Sequence, residues 1–341
     1  MAEAALVGPQ DTAWTDALTR IEHDVYHTPE YVELDARLSA GTAAAFVYSD
    51  GGHVLLLPLV LRPVPDSDLR DAVSPYGYPG PVSDASAGDA DFWKHACQKM
   101  VDLLCAQGIV TAFVRLHPIL TAPLDTLGGF GTIVRHGQTV SMDLSLSVEE
   151  MWHQTHRTHR NQINKARRAN VTIVVDDWSR LDEWVATYHD NMRRVGASDY
   201  YFFTAEHFHR LRAALGDHAH LAIAYAGGEV LGGNLFFEYD GIMHTYLQST
   251  RDTGVHHADK LLYDEIRRWG REHGNSVYHI GGGLGGASDS LFAYKAAFSA
   301  GRHDFHTWRV VTDPGQYARL IGAGAGEPAL TTMSGRFPPY R

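Results

Sequence analysis

The chain has 341 residues, of which 44% are hydrophobic and 20% charged, with a formal net charge of −11. That length exceeds what one core ordinarily serves, so two domains are expected, and the acidic balance argues against indiscriminate nucleic-acid binding. The longest apolar stretch, residues 54–61, is strand-sized and far too short to cross a bilayer. The first residues lack the basic and apolar regions of a signal peptide, and the only two cysteines, Cys97 and Cys105, fit core positions in a reduced, cytoplasmic chain.

In chain order, residues 13–38 read as helix with a break at Tyr26-His-Thr-Pro29. Strands over 43–49 and 53–62 flank the turn Asp50-Gly51-Gly52. Residues 63–73 read as loop, and Ser74-Pro-Tyr-Gly-Tyr-Pro-Gly-Pro-Val82 holds too much proline and glycine for regular structure. A helix over about 89–107 holds both cysteines, eight residues apart and out of bonding reach. It stops at Gly108, ahead of a strand over 110–116.

The second half opens on a basic segment. HQTHRTHRNQINKARR, residues 153–168, carries Arg157, Arg160, Lys165, Arg167 and Arg168 and no acid. A solvated helix face is one reading of such a run; an anion-binding stripe is the other. The segment belongs to a helix over 148–169, followed by a strand over 171–175 and helices over 178–195 and 204–215. Strands over 221–226, 230–239 and 242–248 come next, then a helix over 256–273 ending at Gly274 and a strand over 277–280.

The order strand, double-glycine turn, strand, helix, strand therefore occurs twice. Such a duplication predicts an α/β fold of α+β type, with two similar mixed-sheet domains over 1–145 and 146–341 and a cleft between them.

Five glycines lie between Gly281 and Gly286, where the backbone can approach a ligand closely. Ser288, Asp289 and Ser290 are N-cap candidates for a following helix with Leu291, Tyr294, Lys295 and Phe298. Strand, glycine loop and capped helix form a place where amides can meet an anion. The run matches G-x-G-x-x-G only formally, without a βαβ unit, and it lacks the Gly-Lys-Ser/Thr of a P-loop. A structural turn is the competing reading. His279 beside the glycines is a base or a strand residue. Asn234 is a buried polar contact or a donor to an acyl carbonyl. Tyr76 and Tyr78 contact an acceptor or pack under their loop. Histidines at 153, 156 and 159, and at 303 and 306, lack a recognised zinc spacing, so no metal is expected. No Ser-His-Asp or Cys-His arrangement can be assigned from spacing.

These segments, in this order, resemble the GNAT acyltransferase core in tandem, as in the Fem family of aminoacyl-tRNA-dependent transferases and related tandem-GNAT acyltransferases. The residues that carry the resemblance are Tyr26-His-Thr-Pro-Glu-Tyr31, Ser74 to Pro81, Arg157 to Arg168, Gly232-Gly-Asn234, and Gly281-Gly-Gly with Asp289-Ser-Leu-Phe-Ala-Tyr-Lys295. The resemblance implies two GNAT-like domains, the first on the acceptor side and the second holding the acyl donor. It implies transfer of an aminoacyl group from aminoacyl-tRNA to an amine or hydroxyl of a small-molecule or peptide acceptor, as in antibiotic biosynthesis, by a cytoplasmic monomer or weak dimer without cofactor or membrane.

The family's Phe-Lys pair at the tRNA end is Tyr294-Lys295 here. On this reading Lys295, Tyr246, His279 and Asp289 serve catalysis, while Arg157, Arg160, Lys165, Arg168, Tyr294, Gly282 and Gly283 bind donor and tRNA. Tyr76, Tyr78 and Asn234 bind the acceptor. The place of the CoA pyrophosphate loop reads Arg251-Asp-Thr-Gly254-Val-His256, where a histidine replaces the last small residue. Acyl-CoA-dependent N-acyl transfer is the alternative, and a non-catalytic binding protein of the same fold a second one.

Overall fold

The computed structural model describes residues 2–251, 257–322 and 335–341. By compactness the chain divides into two units, Met1–Gly137 with Asp304–Arg341, and Gln138–His303. The division falls before the expected boundary at 145, and the C-terminal segment belongs with the first unit. The reason is a strand pairing described below.

The first unit contains β1 (Glu3–Val7), β2 (Thr42–Asp50), β3 (His53–Pro63), β4 (Arg70–Val73), the short β5 (Val82–Ser83) and β6 (Ile109–Arg115). The chain then passes along β7 (Thr132–Asp143) into the second unit, with β8 (Thr172–Val175), β9 (Ala219–Ala226), β10 (Glu229–Tyr239), β11 (Ile242–Thr250) and β12 (Val277–Gly282). It returns along β13 (Gly301–Val311).

The strand order of the first unit is β1-β2-β3-β4-β6-β13, and that of the second is β8-β9-β10-β11-β12-β7. In each, the fourth and fifth strands, β4 with β6 and β11 with β12, are parallel, and the other neighbours along the order are antiparallel. A parallel pair needs a crossover, and the helices Ala90–Ala106 and Ala258–Glu272 supply one in each unit. Thr307 to Val311 pair with Arg115 to Thr111, which ties the C-terminal segment to the first unit.

Several elements differ from the sequence reading. Residues 13–38 form Thr12–Leu18 and Pro29–Leu38, separated by a 3-10 turn at Val25–His27 that Asp24 caps. The basic segment is two helices, Val148–Gln154 and Arg157–Arg168. They part at Thr155, buried with its hydroxyl donating to Met151 O, and at His156, which caps the second helix. The stretch read as loop over 63–73 contains β4. β7 and β13 were not expected at all; both are long, polar and only partly buried. Cys97 is buried, but Cys105 is exposed rather than in the core.

Packing follows the layers. In the first unit Phe92, Trp93, Cys97, Met100 and Leu104 of the crossover helix pack on Phe46, Leu57, Leu59 and Val114. In the second, Leu261, Leu262 and Ile266 pack on Phe236, Met243 and Tyr278.

Candidate functional site

The second unit's parallel pair opens a gap. β11 and β12 pair only at Ile242↔Val277, Met243↔Tyr278 and His244↔His279. Beyond that point β11 continues to Thr250 and β12 to Gly282 without pairing to each other. The glycine loop begins where they part.

Asp289 closes that loop. Its carboxylate accepts from Leu284 N at 2.9 Å and, as N-cap of the helix Ser290–Ala296, from Phe292 N at 2.8 Å. These backbone bonds hold its pKa below the usual carboxylate value, so it stays an anion that braces the turn. The expected catalytic role does not fit this geometry, because a base must release those amides to take a proton. Gly283 is required here: a Cβ would collide with Ala287 O and with the Asp289 carboxylate. The Gly286 and Ala287 amides bond to Gly283 O and Leu284 O. Together with Leu284 N they are spent on the loop itself and are not donors for an oxyanion.

Lys295 is the cation of the loop. Its Nζ donates to Gly282 O at 2.9 Å. Burial pulls its pKa down to about 8, with the charge of Asp289 opposing that shift. Such an ammonium is acidic enough to give up a proton near neutrality and remains a full charge below that.

Tyr294, the preceding residue, points into the unit. Its ring lies against His159, Tyr263 and Phe298 at centroid distances of 5.3, 6.1 and 5.6 Å, and Lys260 Nζ stands 5.0 Å from its centre. Those neighbours occupy the ring, so it is not the open platform for a base that the sequence suggested. His159 Nε2 contacts Tyr294 O at 3.0 Å and joins the basic helix to this turn.

Strand alternation sorts the remaining candidates onto two faces of the second unit's sheet. Asn234 and Phe236 of β10 share the face under the crossover helix with Tyr278, whose ring meets Phe236 at 6.4 Å. Phe237 points the other way, and Tyr246 packs on it at 4.8 Å. His279 is also on that opposite face, its Nδ1 3.2 Å from His244 Nδ1. The arrangement brings Lys295, Asp289, Gly282 and Gly283 together and leaves Tyr246 and His279 on the other face from Asn234. Asn234 does not fit a role as donor to an acyl carbonyl. Its Nδ2 already donates to Gln248 Oε1 at 2.7 Å and Tyr278 OH at 3.5 Å.

On the basic helix, Arg157, Lys165 and Arg168 are exposed and Arg160 is half-buried. At about 100° per residue, Arg157, Lys165 and Arg168 share the side opposite His159, Ile163 and Ala166, which are buried. Arg167 is committed elsewhere, to Asp264 at 2.5 Å and Glu265 at 2.6 Å. The other four form no ion pair among the described residues.

In the first unit, the loop with Tyr76 and Tyr78 folds against the Tyr26–Tyr31 segment. Tyr31 OH donates to Tyr76 O at 2.8 Å, and the Tyr78 ring meets Tyr26 and Phe305 at 6.2 and 5.5 Å. Burial pushes the Tyr78 hydroxyl up to about 12. Gly77, at φ 103°, lies flat on the Tyr26 ring. Packing therefore accounts for Tyr78, while Tyr76 keeps a half-buried side chain. Sequence reasoning missed Asp35 beside this loop: burial raises its carboxyl to about 6, against a hydrogen bond from the Tyr76 backbone and the charges of Arg115 and Arg62. It also missed Gln248, Asp259 and Lys260. No motif marks them, because they meet Asn234 and Tyr294 only across the folded hairpin and the start of the crossover helix.

Residues 153–296 match the family model of the acetyltransferase (GNAT) domain. Among solved structures, FemX is similar over 94% of this chain and 99% of its own, with a TM-score of 0.71 and 13% identity. The fold is that of the Fem-like tandem-GNAT acyltransferases. The C-terminal domain of a putative lysylphosphatidylglycerol synthetase from Agrobacterium fabrum has a TM-score of 0.57 at 14% identity, covering 91% of this chain and 94% of that one. The same TM-score and identity hold for L-PGS from Bacillus licheniformis, over 88% of this chain and 92% of that one. A search of curated proteins found no match. Among the described residues no helix is long and apolar enough to cross a membrane.

Proposed function

We propose that this Fem-like chain transfers an aminoacyl group from aminoacyl-tRNA to an amine or hydroxyl of a small-molecule or peptide acceptor. The observation that carries this reading is the exposed face of Arg157, Lys165 and Arg168 on a chain of net charge −11. Three unbalanced cations on one helix side suit a phosphate backbone, each phosphate they neutralise releasing counterions. The C-terminal domain of a putative lysylphosphatidylglycerol synthetase has a similar fold, which is consistent with such chemistry.

The donor is an activated ester, so no covalent enzyme intermediate is needed. The acceptor amine attacks the ester carbonyl, a C–N bond forms, and the bond to the ribose oxygen breaks. That oxygen leaves with developing negative charge and takes up a proton, while the amine loses one. Lys295, held at the mouth of the loop with a pKa of about 8, supplies positive charge or a proton to the departing oxygen. Gly283 and Asp289 set its position by fixing the turn that precedes its helix.

A specific observation favours the second reading, acyl-CoA-dependent transfer: the matched family is named for acetyl transfer. The loop that would hold the pyrophosphate, 251–256, has all but Arg251 outside the described residues. The discriminating experiment uses purified protein with charged tRNA or short-chain acyl-CoA. Ribonuclease-sensitive product supports the proposal, and thiol release that survives ribonuclease supports the alternative. A protein that binds charged tRNA without turning it over is a non-catalytic member of the fold.

A further inference from the structure

Asn234 is fully buried on β10, and the residues around it dictate which way its amide points. Gln248 Nε2 donates to Asp259 O at 3.1 Å, which turns Gln248 Oε1 toward Asn234 and makes it the acceptor for Asn234 Nδ2. The second amide proton faces Tyr278 OH, which is itself 2.6 Å from Thr245 Oγ1. This relay leaves Asn234 Oδ1 buried with no hydrogen-bond partner among the described residues. A buried acceptor without a donor is destabilising, so its retention calls for something that supplies one.

The Tyr294 hydroxyl is buried close by and bonds to side chains of this cluster. It lies near the same two side chains, Gln248 and Asp259, and the Asp259 carboxylate reaches Lys260 Nζ at 2.6 Å. Beside them β11 and β12 stop pairing. An open amide oxygen, a hydroxyl and a carboxylate thus gather next to the strand gap in one unit. Oxygen acceptors in that number match a ligand group with several N–H donors and positive charge.

We infer that Asn234 Oδ1 and Tyr294 OH, with Asp259, receive the α-ammonium of the aminoacyl group being transferred. The inference rests on the donor reading above and sharpens it: the pocket selects amino acids over acyl chains that lack the amino group. Asn234 then belongs to the donor, not the acceptor. A site built to pair with an N–H rejects the analogue without it, because its polar groups are left unpaired.

The test is calorimetric titration of the full chain with two stable amide analogues of a charged adenosine end. One carries an α-amino acid, the other the same acyl chain with hydrogen in place of the amino group. The wild type is expected to bind the amino form roughly tenfold more tightly, as a charge-assisted hydrogen bond warrants. Asn234→Ala and Tyr294→Phe should each bring that ratio toward one. Tyr294→Phe removes only a hydroxyl and keeps the test open should Asn234→Ala fail to fold. Equal affinities for the wild type, an unchanged ratio in Tyr294→Phe, or no binding of either analogue overturns the inference and assigns the open acceptor to water. Turnover is read separately. Equal rates with aminoacyl-tRNA and its desamino counterpart reject this pocket alone, whereas no product from any charged tRNA rejects the donor reading.

Discussion

The two units run their strands in the same order but treat the turn after the parallel strand in opposite ways. In the first unit that turn follows β6 and is fixed by His117. His117 Nδ1 accepts from Ile119 N and Leu120 N at 3.0 and 2.8 Å, so its Nε2 carries the proton and donates to the buried Asp24 at 2.8 Å. Asp24 also meets His27 Nδ1 at 2.9 Å, and His27 Nε2 reaches Gly80 O. The turn is thereby tied to the unit's interior by buried polar groups. In the second unit the turn follows β12, is made of glycines, and is closed by a half-buried Asp289 that bonds to backbone amides of the loop and the helix after it. Leu284 at its tip is 75% exposed. One turn works as an interior tie, and the other is a surface loop that carries a cation. That difference is consistent with the proposal that the chemistry belongs to the second unit.

The sharpest way to break the comparison is to cut the tie. His117→Ala leaves a buried carboxylate short of a donor and should lower stability by about 3 kcal/mol, read as a fall in the denaturant midpoint. The corresponding change in the second unit, Asp289→Ala, removes a helix cap and should cost only about 1 kcal/mol. Equal losses would mean that both turns are structural.

The next largest effect concerns Lys295. Lys295→Ala should reduce turnover about 100-fold while donor binding changes little, since a charge at the reacting ester acts mainly in the transition state. The ammonium is present below its pKa of about 8, so wild-type activity should fall as pH rises through that value. Lys295→Arg should remove this alkaline fall, because a guanidinium does not titrate there. A Lys295→Ala protein with full activity would take the chemistry away from the loop.

A smaller effect separates folding from function within the second unit. Burial alone would depress His220, but its hydrogen bond to Asp176 and its 3.7 Å ion pair with Glu238 outweigh that and hold it up to about 9. Because the folded value lies above the unfolded one, this stabilisation is complete below about pH 6.5. It is lost as pH rises through about 9. Asp176 is partly exposed, so screening reduces the contribution. His220→Gln should lower stability by about 1–2 kcal/mol at pH 6 and by less at pH 10, with turnover per folded molecule unchanged.

The smallest effect per residue is on the basic helix. Replacing Arg157 and Arg168 by alanine should weaken tRNA binding and flatten its salt dependence, by roughly one unit of logarithmic slope for each phosphate no longer neutralised. Arg167 controls for mere loss of charge: it is bound to Asp264 and Glu265, so Arg167→Ala should reduce stability without changing the salt slope.

Much of this comparison was legible in the residues. Double-glycine turns and alternating apolar runs marked the hairpins of both units, and Gly108 and Gly274 marked the ends of both crossover helices. The glycine loop, its N-cap and Lys295 could be read because each rests on local backbone chemistry. β7 and β13 could not, since strands such as GRHDFHTWRVV are half-exposed and lack a clean period of two. Their pairing partners lie far away in the chain. The same reason hid the role of Asn234, whose orientation is decided by Gln248, fourteen residues on. Asp289 misled because an acid beside a glycine loop reads alike as a base or a cap, and only its bonds to Leu284 N and Phe292 N decide between them. Arg167 looks identical to Arg168 in sequence, yet it faces the crossover helix.

The central claim is that the second unit takes its acyl group from RNA. Its most direct test follows a radiolabelled amino acid from charged tRNA into an amine acceptor pool, with and without prior ribonuclease, beside a parallel reaction with short-chain acyl-CoA monitored for free thiol. The account predicts labelled product that ribonuclease abolishes, that Lys295→Ala nearly eliminates, and that is not accompanied by thiol release from acyl-CoA. Appreciable thiol release that ribonuclease leaves untouched, with no label transferred from tRNA, would contradict it.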